Sequence, residues 1–450
     1  MGPPALRWRL RSLLGLHDAT LTAATNLAIA AIGFCTGIIS ARILGPQGRG
    51  ELAAIQTTPS AIAALAMIGM PEALVYFCAQ QPRQAGVYLG TATAVALAAS
   101  VLLTAAAYLA MPWLVHAQAP AVIAEARGYL LIAAIYATTG MLYHPLRGCG
   151  DFRAWNGLRL MVPMAALGVL GTAYLANRMT PAFIAFGNLT SFALLFIPCA
   201  WVVRRRLRGP WLPDPAKATP MLRFGFPCML TTLPYLLNLR LDQMLMAALL
   251  PARDLGLYAV AVACSGAVSP LLNSIGVTLL PSVAAADDRG HAAQRMGQGV
   301  RMTVTLALLV CAGVALAAPF AIPLLFGPRY RFSVSAALIL IPAAGVLGVN
   351  LSLQESIRGL GRPYAALRAE LIGLAVTALF LIVTLKRLGI VGAALSSLLG
   401  YSAVNIALLT SARRIAGLSI TALVVPRPAE MKRGMMRLAA AAGLLAEPAG

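Results

Sequence analysis

The sequence has too few charged residues for a soluble protein of its length. Of 450 residues, 11% are charged and 60% are hydrophobic, whereas soluble domains carry about 25% charged residues. The mean hydropathy is +0.80. So little charge cannot cover the surface of a soluble fold, and we expect a membrane protein.

Residues that carry catalysis or bind metals are also scarce. The four histidines lie apart in the sequence with no companion at metal-ligand spacing, and neither C-x-x-C nor a phosphate-binding G-x-x-x-x-G-K-[ST] occurs. Most of the seven cysteines fall within apolar stretches, where they behave as small apolar residues. The polar segments are too short to hold a catalytic or ATP-hydrolysing domain. We therefore expect no catalytic residue and no metal site, and a protein that is not an enzyme.

Long apolar blocks dominate what is present. A helix of about 20 apolar residues crosses a hydrocarbon core of about 30 Å, and the sequence contains a dozen blocks of at least this length. They predict an all-α, polytopic membrane protein with about 12 transmembrane helices. The predicted spans are residues 20–43, 52–79, 85–111, 121–143, 156–176, 181–203, 224–250, 255–283, 301–326, 334–356, 364–385 and 389–410.

The basic residues predict the orientation of these spans. With the N-terminus inside, 25 of the 35 basic residues fall in inner segments, nine fall in outer segments, and Arg240 lies within a span. This bias favours a topology with both termini cytoplasmic. It also explains the net charge of +21 without nucleic-acid binding, and we expect the basic segments to contact anionic lipid headgroups.

An internal repeat divides the chain into halves. A shift of 206 residues places ARILGPQGRGELAA, beginning at Ala41, on AALLPARDLGLYAV, beginning at Ala247. The shift equals six spans, which predicts parallel repeats related by an axis along the membrane normal. The predicted segments are a cytoplasmic N-terminus (1–19), a six-helix bundle (20–203), a basic linker (204–223), a second six-helix bundle (224–410) and a cytoplasmic tail (411–450), in which 431–446 could form an amphipathic helix or stay unstructured.

Four stretches resemble a known family. They are ARILGPQGRGELAAIQTTPSAIAALAMIGMPEAL from Ala41, LRLDQMLMAALLPARDLGLYAVA from Leu239, LLFGPRY from Leu324 and LGIVGAALSSLLGY from Leu388. Together they resemble the polysaccharide and O-antigen flippases of the multidrug/oligosaccharidyl-lipid/polysaccharide (MOP) superfamily. The resemblance implies two six-helix bundles forming a V around a central cavity. It also implies alternating access that moves a lipid-linked oligosaccharide across the bacterial inner membrane, alongside other membrane proteins of polysaccharide assembly.

A flippase for a diphosphate-linked sugar needs a cationic, hydrated cavity, and charges within spans are candidates for lining it. Arg240, about 24 Å along the seventh span at 1.5 Å per residue, is the first candidate for binding phosphate, because a guanidinium offers paired donors. The alternatives are an arginine that reaches the interface or pairs with an acid on another helix. In a regular helix Asp242 would face away from Arg240 but share a face with Asn238. Asn238 and Asp242 could then form a polar patch or a coupling-ion site.

Further candidates are assigned to gating, coupling or the cavity wall. Glu72 could carry a coupling proton or pair with an arginine. Glu355 and Glu370 lie close in sequence to Arg358 and Arg368, so inner-gate salt bridges and ion coupling both remain open. Polar residues that could line the cavity, or join helices by hydrogen bonds instead, are Asn26, Asn273, Asn350, Gln354 and Asn405. No cofactor is expected other than Na⁺ or H⁺ as the coupling ion.

Three other functions stay open at this point. A Na⁺- or H⁺-coupled exporter of drugs or metabolites would belong to the same superfamily. A flippase for a peptidoglycan lipid precursor is another alternative, although relatives of that kind often carry several arginines in the first two spans, and here none occurs in the first span before Arg42. A membrane-embedded transferase or polymerase would need a sizeable external loop, which the sequence lacks.

Overall fold

The computed structural model describes residues 4–284, 286 and 288–425, and within these ranges the regular structure is entirely helical. Eight helical stretches of the described chain are long and apolar enough to cross a membrane. Of these, Thr20–Ala66 contains the first predicted span and the first half of the second, and Pro363–Ala416 contains the eleventh and the twelfth. The seventh and eighth predicted spans are each built from two shorter helices. The prediction of an all-α membrane protein with about 12 transmembrane helices is confirmed.

The chain divides into two compact units. The first contains the residues up to Leu233 together with Ala247–Gly256. Here α1 packs against α3, α4, α7 and α8. The helices of this part of the chain are α1 (Pro4–Ala66), α2 (Met70–Gln80), α3 (Ala85–Leu114), α4 (Pro120–Tyr129), α5 (Ile132–Ile135), α6 (His144–Gly148), α7 (Phe152–Leu175), α8 (Pro181–Leu194), α9 (Phe196–Arg206) and α10 (Pro215–Asn238), whose last turn belongs to the second unit.

The second unit contains Pro234–Met246 and the residues from Leu257 onward. Its central helix, α15, packs against α13, α14 and α16, and more than half of its apolar segment is buried. The remaining helices of the chain are α11 (Leu241–Leu249), α12 (Ala252–Gly266), α13 (Ser269–Ala284), α14 (Arg289–Phe326), α15 (Ser333–Gly359), α16 (Pro363–Ala416) and α17 (Ile420–Val424); α11 and α12 each contribute to both units.

Two glycines interrupt helices that would otherwise run from one predicted span into the next. Within α1, Gly45 has a φ of 67°, and Pro46 follows it. Within α16, Gly389 has a φ of 55°. Residues other than glycine rarely adopt a positive φ. These two residues therefore separate the first span from the second and the eleventh from the twelfth.

The two glycines that the internal repeat makes equivalent lie against each other. A Cβ on Gly50 would come 1.6 Å from the carbonyl oxygen of Ala252, and a Cβ on Gly256 would come 1.9 Å from that of Pro46. A shift of 206 residues converts each of these contacts into the other. All four residues belong to the first unit, so helix starts from both halves of the repeat pack within it, with their backbones in direct contact.

The predicted segment boundaries differ from the division of the structure. The predicted linker, residues 204–223, ends before the structural division, which falls within α10 between Leu233 and Pro234. The seventh span therefore contributes to both units. The predicted tail is helical as far as Ala416 and again in α17, and the segment 431–446 lies outside the described residues.

Candidate functional site

A break in the seventh span organises the polar residues of the second unit. Helix α10 ends at Asn238, Leu239 and Arg240 form a turn, and α11 begins at Leu241. Pro234 lies in the last turns of α10 and has no N–H to donate to the preceding turn, which weakens the helix there. The helix is therefore not regular between Asn238 and Asp242, although Arg240 is exposed while Asn238 and Asp242 are both buried.

Asp242 lies on the α11 side of the break and is buried, with 3% of its surface exposed. Its carboxylate accepts hydrogen bonds from the Tyr258 hydroxyl at 2.5 Å and from the Ser397 hydroxyl at 3.1 Å. The backbone N–H of Gln243 donates to it at 2.6 Å. All three partners are able to donate to it, and such a set suits an ionised carboxylate.

Asn238 lies on the other side of the break and belongs to a second buried chain of hydrogen bonds. Its side-chain oxygen accepts from the Thr377 hydroxyl at 2.7 Å, and its side chain also hydrogen-bonds to Glu370. Gln354 donates to Glu370 at 2.5 Å. Asn238, Gln354 and Glu370 are 2%, 4% and 3% exposed. The network ties α10 to α15 and to the first half of α16.

A pair of asparagine side chains joins α15 to the second half of α16. Asn350 donates to the backbone carbonyl oxygen of Tyr401 at 2.9 Å, and Asn405 donates to Asn350 at 2.8 Å. These two residues are used for contacts between helices, the role that interhelical amides commonly have in membranes.

Arg240 differs from these neighbours because its side chain is exposed. Its positive charge attracts the buried Asp242 carboxylate without a direct ion pair in the described structure. A guanidinium in the middle of a span is costly against lipid and normally faces a bundle interior or a water-filled space. Irregular backbone at membrane depth is tolerated under the same condition. We therefore expect the turn and the cation to lie on a hydrated surface of the second unit.

Of the other gating candidates, Glu355, Arg358 and Glu370 lie near one another on α15 and α16, because Gln354 hydrogen-bonds to Glu370 and the charge of Arg358 also acts on it. Glu355 pairs with Arg358 at 2.9 Å on the same helix. Glu370 is bound by amides rather than by Arg368, which is exposed. Glu72 is exposed on α2.

Of the two remaining cavity candidates, Asn273 is exposed on α13. Asn26, on α1, accepts a hydrogen bond from Arg159 at 2.9 Å. Arg159 lies in the second turn of α7. Among the described residues, no group of three or more His, Cys, Asp or Glu side chains is arranged to hold a metal ion.

Sequence reasoning also missed Tyr258, Thr377 and Ser397. Each is a single hydroxyl within an apolar stretch and gives no local signal. Tyr258 and Ser397 do fall in two of the stretches that carry the family resemblance, LYAVA and LSSLLGY. That position is the one signal that could have selected them.

The sequence matches a known protein family. A family model described as "Polysaccharide biosynthesis protein" matches residues 16–286. No curated protein sequence matches the chain.

Three solved structures are similar to this chain, and each alignment covers most of both chains. The lipid II flippase MurJ in an inward closed conformation has a TM-score of 0.74 at 12% identity, covering 95% of this chain and 94% of its own. An inward-facing multidrug resistance MATE family transporter of the MOP superfamily has a TM-score of 0.70 at 16% identity, covering 88% and 98%. The eukaryotic MATE transporter AtDTX14 has a TM-score of 0.65 at 15% identity, covering 94% and 98%. The fold is thus the twelve-helix fold of MOP transporters.

Proposed function

Because the chain belongs to the polysaccharide biosynthesis protein family, we propose that it is a flippase for a polyprenyl-diphosphate-linked oligosaccharide. It moves this polysaccharide precursor across the bacterial inner membrane by alternating access, with both termini cytoplasmic as the distribution of basic residues favours. The family and the multi-pass membrane fold support transport in polysaccharide assembly. The observation that carries the choice of substrate is the exposed Arg240 at the break between α10 and α11.

The chemistry of Arg240 suits a diphosphate. The guanidinium is always charged, and its planar fork of donors matches phosphate oxygens in a bidentate arrangement. A transporter for small cations would gain nothing from an exposed arginine here.

Asp242 supplies the second part of the proposal, which is coupling to an ion. Its carboxylate is buried and lies two residues from Arg240. Binding of Na⁺ or a proton at this carboxylate would change the charge next to Arg240 and therefore its attraction for the diphosphate. The proposal requires the flip rate to rise with an imposed Na⁺ or proton gradient.

The substrate assignment is tested by comparing two arginine variants in proteoliposomes. Arg240→Gln removes the cation at the break, while Arg253→Gln removes an exposed cation near the start of α12. Losing one charge-assisted contact costs about 1.5–3 kcal/mol, so we expect Arg240→Gln to slow flipping of a labelled polyprenyl-diphosphate oligosaccharide about tenfold or more. Arg253→Gln should flip as fast as wild type. Equal rates for all three proteins would rule out Arg240 as the phosphate-binding residue.

A further inference from the structure

The N-terminal end of α7, in the first unit, carries a local excess of positive charge. Asp151 is the only acidic residue between Glu125 and Asp214 in the sequence. Its carboxylate already accepts a hydrogen bond from the N–H of Ala154 at 3.1 Å and pairs with Arg206 at 3.0 Å. The other arginines at this end of α7 therefore have no acidic residue nearby in sequence to neutralise them.

Two of these arginines share one aromatic ring. The guanidinium carbon of Arg159 lies 4.3 Å from the centre of the Trp155 ring, and that of Arg147 lies 5.5 Å from it. Cations near an indole face are attracted to its π system. Trp155 therefore holds two positive charges close together, although they repel each other.

Hydrogen bonds fix the position of Arg159. Its Nη2 donates to the side-chain oxygen of Asn26 at 2.9 Å, and its Nη1 donates to that of Asn156 at 3.4 Å. Asn156 is 2% exposed and in turn donates to the Thr22 hydroxyl at 3.0 Å. A guanidinium has five N–H donors, so these contacts orient Arg159 and leave donors for a ligand. Neither Arg147 nor Arg159 forms an ion pair within the described residues.

The depth of this pair suits a lipid headgroup. Arg159 is the eighth residue of α7, about 10 Å along the helix from its first residue at 1.5 Å per residue. Arg147 precedes the helix, in α6. Arg147 lies near the end of one candidate membrane span and Arg159 near the start of the next, so we expect both cations close to the headgroup region of one leaflet, which is about 5–7 Å thick. Tryptophan is enriched at this level.

From this arrangement we propose that Arg147 and Arg159 bind the phosphate of a lipid headgroup. Trp155 holds the two guanidiniums in place, and the hydrocarbon chain of the lipid extends along α7 into the membrane. The phosphate can come from a polyprenyl-diphosphate lipid or from an anionic phospholipid. The first source rests on the proposed function, because the site would then hold the substrate in the leaflet where it is loaded. The second source does not depend on transport.

Native mass spectrometry of the full-length protein in detergent tests the site. The protein is titrated with decaprenyl diphosphate in one series and with phosphatidylglycerol in another. The variants are Arg147→Gln and Arg159→Gln. The matched control is Arg178→Gln, which removes an exposed arginine just beyond the opposite end of α7. We expect each of the first two variants to weaken binding of at least one lipid about tenfold, and Arg178→Gln to leave both affinities unchanged.

The two titrations identify the source of the phosphate. A loss confined to decaprenyl diphosphate assigns the site to the substrate, and a loss confined to phosphatidylglycerol assigns it to a membrane lipid. A loss of affinity for both lipids shows a site that recognises the phosphate and not the rest of the lipid. Wild-type affinity for both lipids in Arg147→Gln and Arg159→Gln overturns the proposal. The Arg147 side chain makes no hydrogen bond in the described structure, so Arg147→Gln decides the matter even where Arg159→Gln fails to fold. A protein that binds the lipid but does not flip it would refute the proposed function and leave this site standing.

Discussion

The effect of Tyr258→Phe on the free energy of unfolding tests whether the buried carboxylate of Asp242 is ionised. Tyr258 is fully buried, and its hydroxyl donates to Asp242 at 2.5 Å. Phenylalanine keeps the ring packing and removes this donor alone. Asp242 keeps its bonds from Ser397 and from the Gln243 amide. The change in the free energy of unfolding therefore reports mainly on one hydrogen bond.

The magnitude distinguishes a carboxylate from a protonated acid. A hydrogen bond to a charged group contributes about 1.5–3 kcal/mol, whereas interhelical hydrogen bonds in membranes average about 0.6 kcal/mol and reach about 1.7 kcal/mol. Because all three neighbours donate to Asp242, we expect an ionised carboxylate. The predicted loss for Tyr258→Phe is about 2 kcal/mol.

Equilibrium unfolding in mixed micelles, followed by circular dichroism, gives this number. The control is Tyr174→Phe, since Tyr174 is 71% exposed and should change stability by less than about 0.5 kcal/mol. A double-mutant cycle with Asp242→Asn isolates the interaction of the pair. A loss of about 0.6 kcal/mol or less for Tyr258→Phe, with no coupling in the cycle, would show that Asp242 is not held as a carboxylate.

Two further predictions concern coupling and packing. Asp242→Asn removes the titratable and cation-binding group, so the flip rate should no longer respond to an imposed Na⁺ or proton gradient; an unchanged response would place coupling elsewhere. Gly256→Ala would put a Cβ 1.9 Å from the carbonyl oxygen of Pro46, and overpacking of this kind costs about 1–3 kcal/mol. Gly266→Ala, on the same helix with open space around it, should be neutral or slightly stabilising in the same unfolding assay. Equal stability of the two alanine variants would contradict the close contact between Gly50 and Gly256.

The fold could be predicted because the length of an apolar block is a local property. The third predicted span, 85–111, corresponds to α3 (Ala85–Leu114), and the tenth, 334–356, corresponds to α15 (Ser333–Gly359). Both helices must satisfy their own backbone hydrogen bonds within the membrane. The seventh span shows where this reasoning fails, because hydropathy does not register a two-residue turn within an apolar stretch.

The candidate site depended on contacts that sequence spacing does not reveal. The hydrogen bond from Ser397 to Asp242 joins residues 155 positions apart, and that from Arg159 to Asn26 joins residues 133 apart. Arg240 and Asp242 could be selected in advance because charges within spans are costly. The hydroxyl partners of Asp242 could not be selected by the same reasoning, since serine, threonine and tyrosine occur in many membrane helices without a ligand or a carboxylate.

The most direct test of the central claim is transport by the wild-type protein. Purified full-length protein is reconstituted in liposomes with a fluorescent polyprenyl-diphosphate oligosaccharide, and an enzyme that cannot cross the membrane is added outside to cleave the exposed sugar. The account predicts that lipid in the inner leaflet becomes accessible to the enzyme with the protein present and stays protected in protein-free liposomes. Protection that is unaffected by the protein, together with gradient-driven uptake of small cationic dyes by the same liposomes, would contradict it and identify an exporter instead.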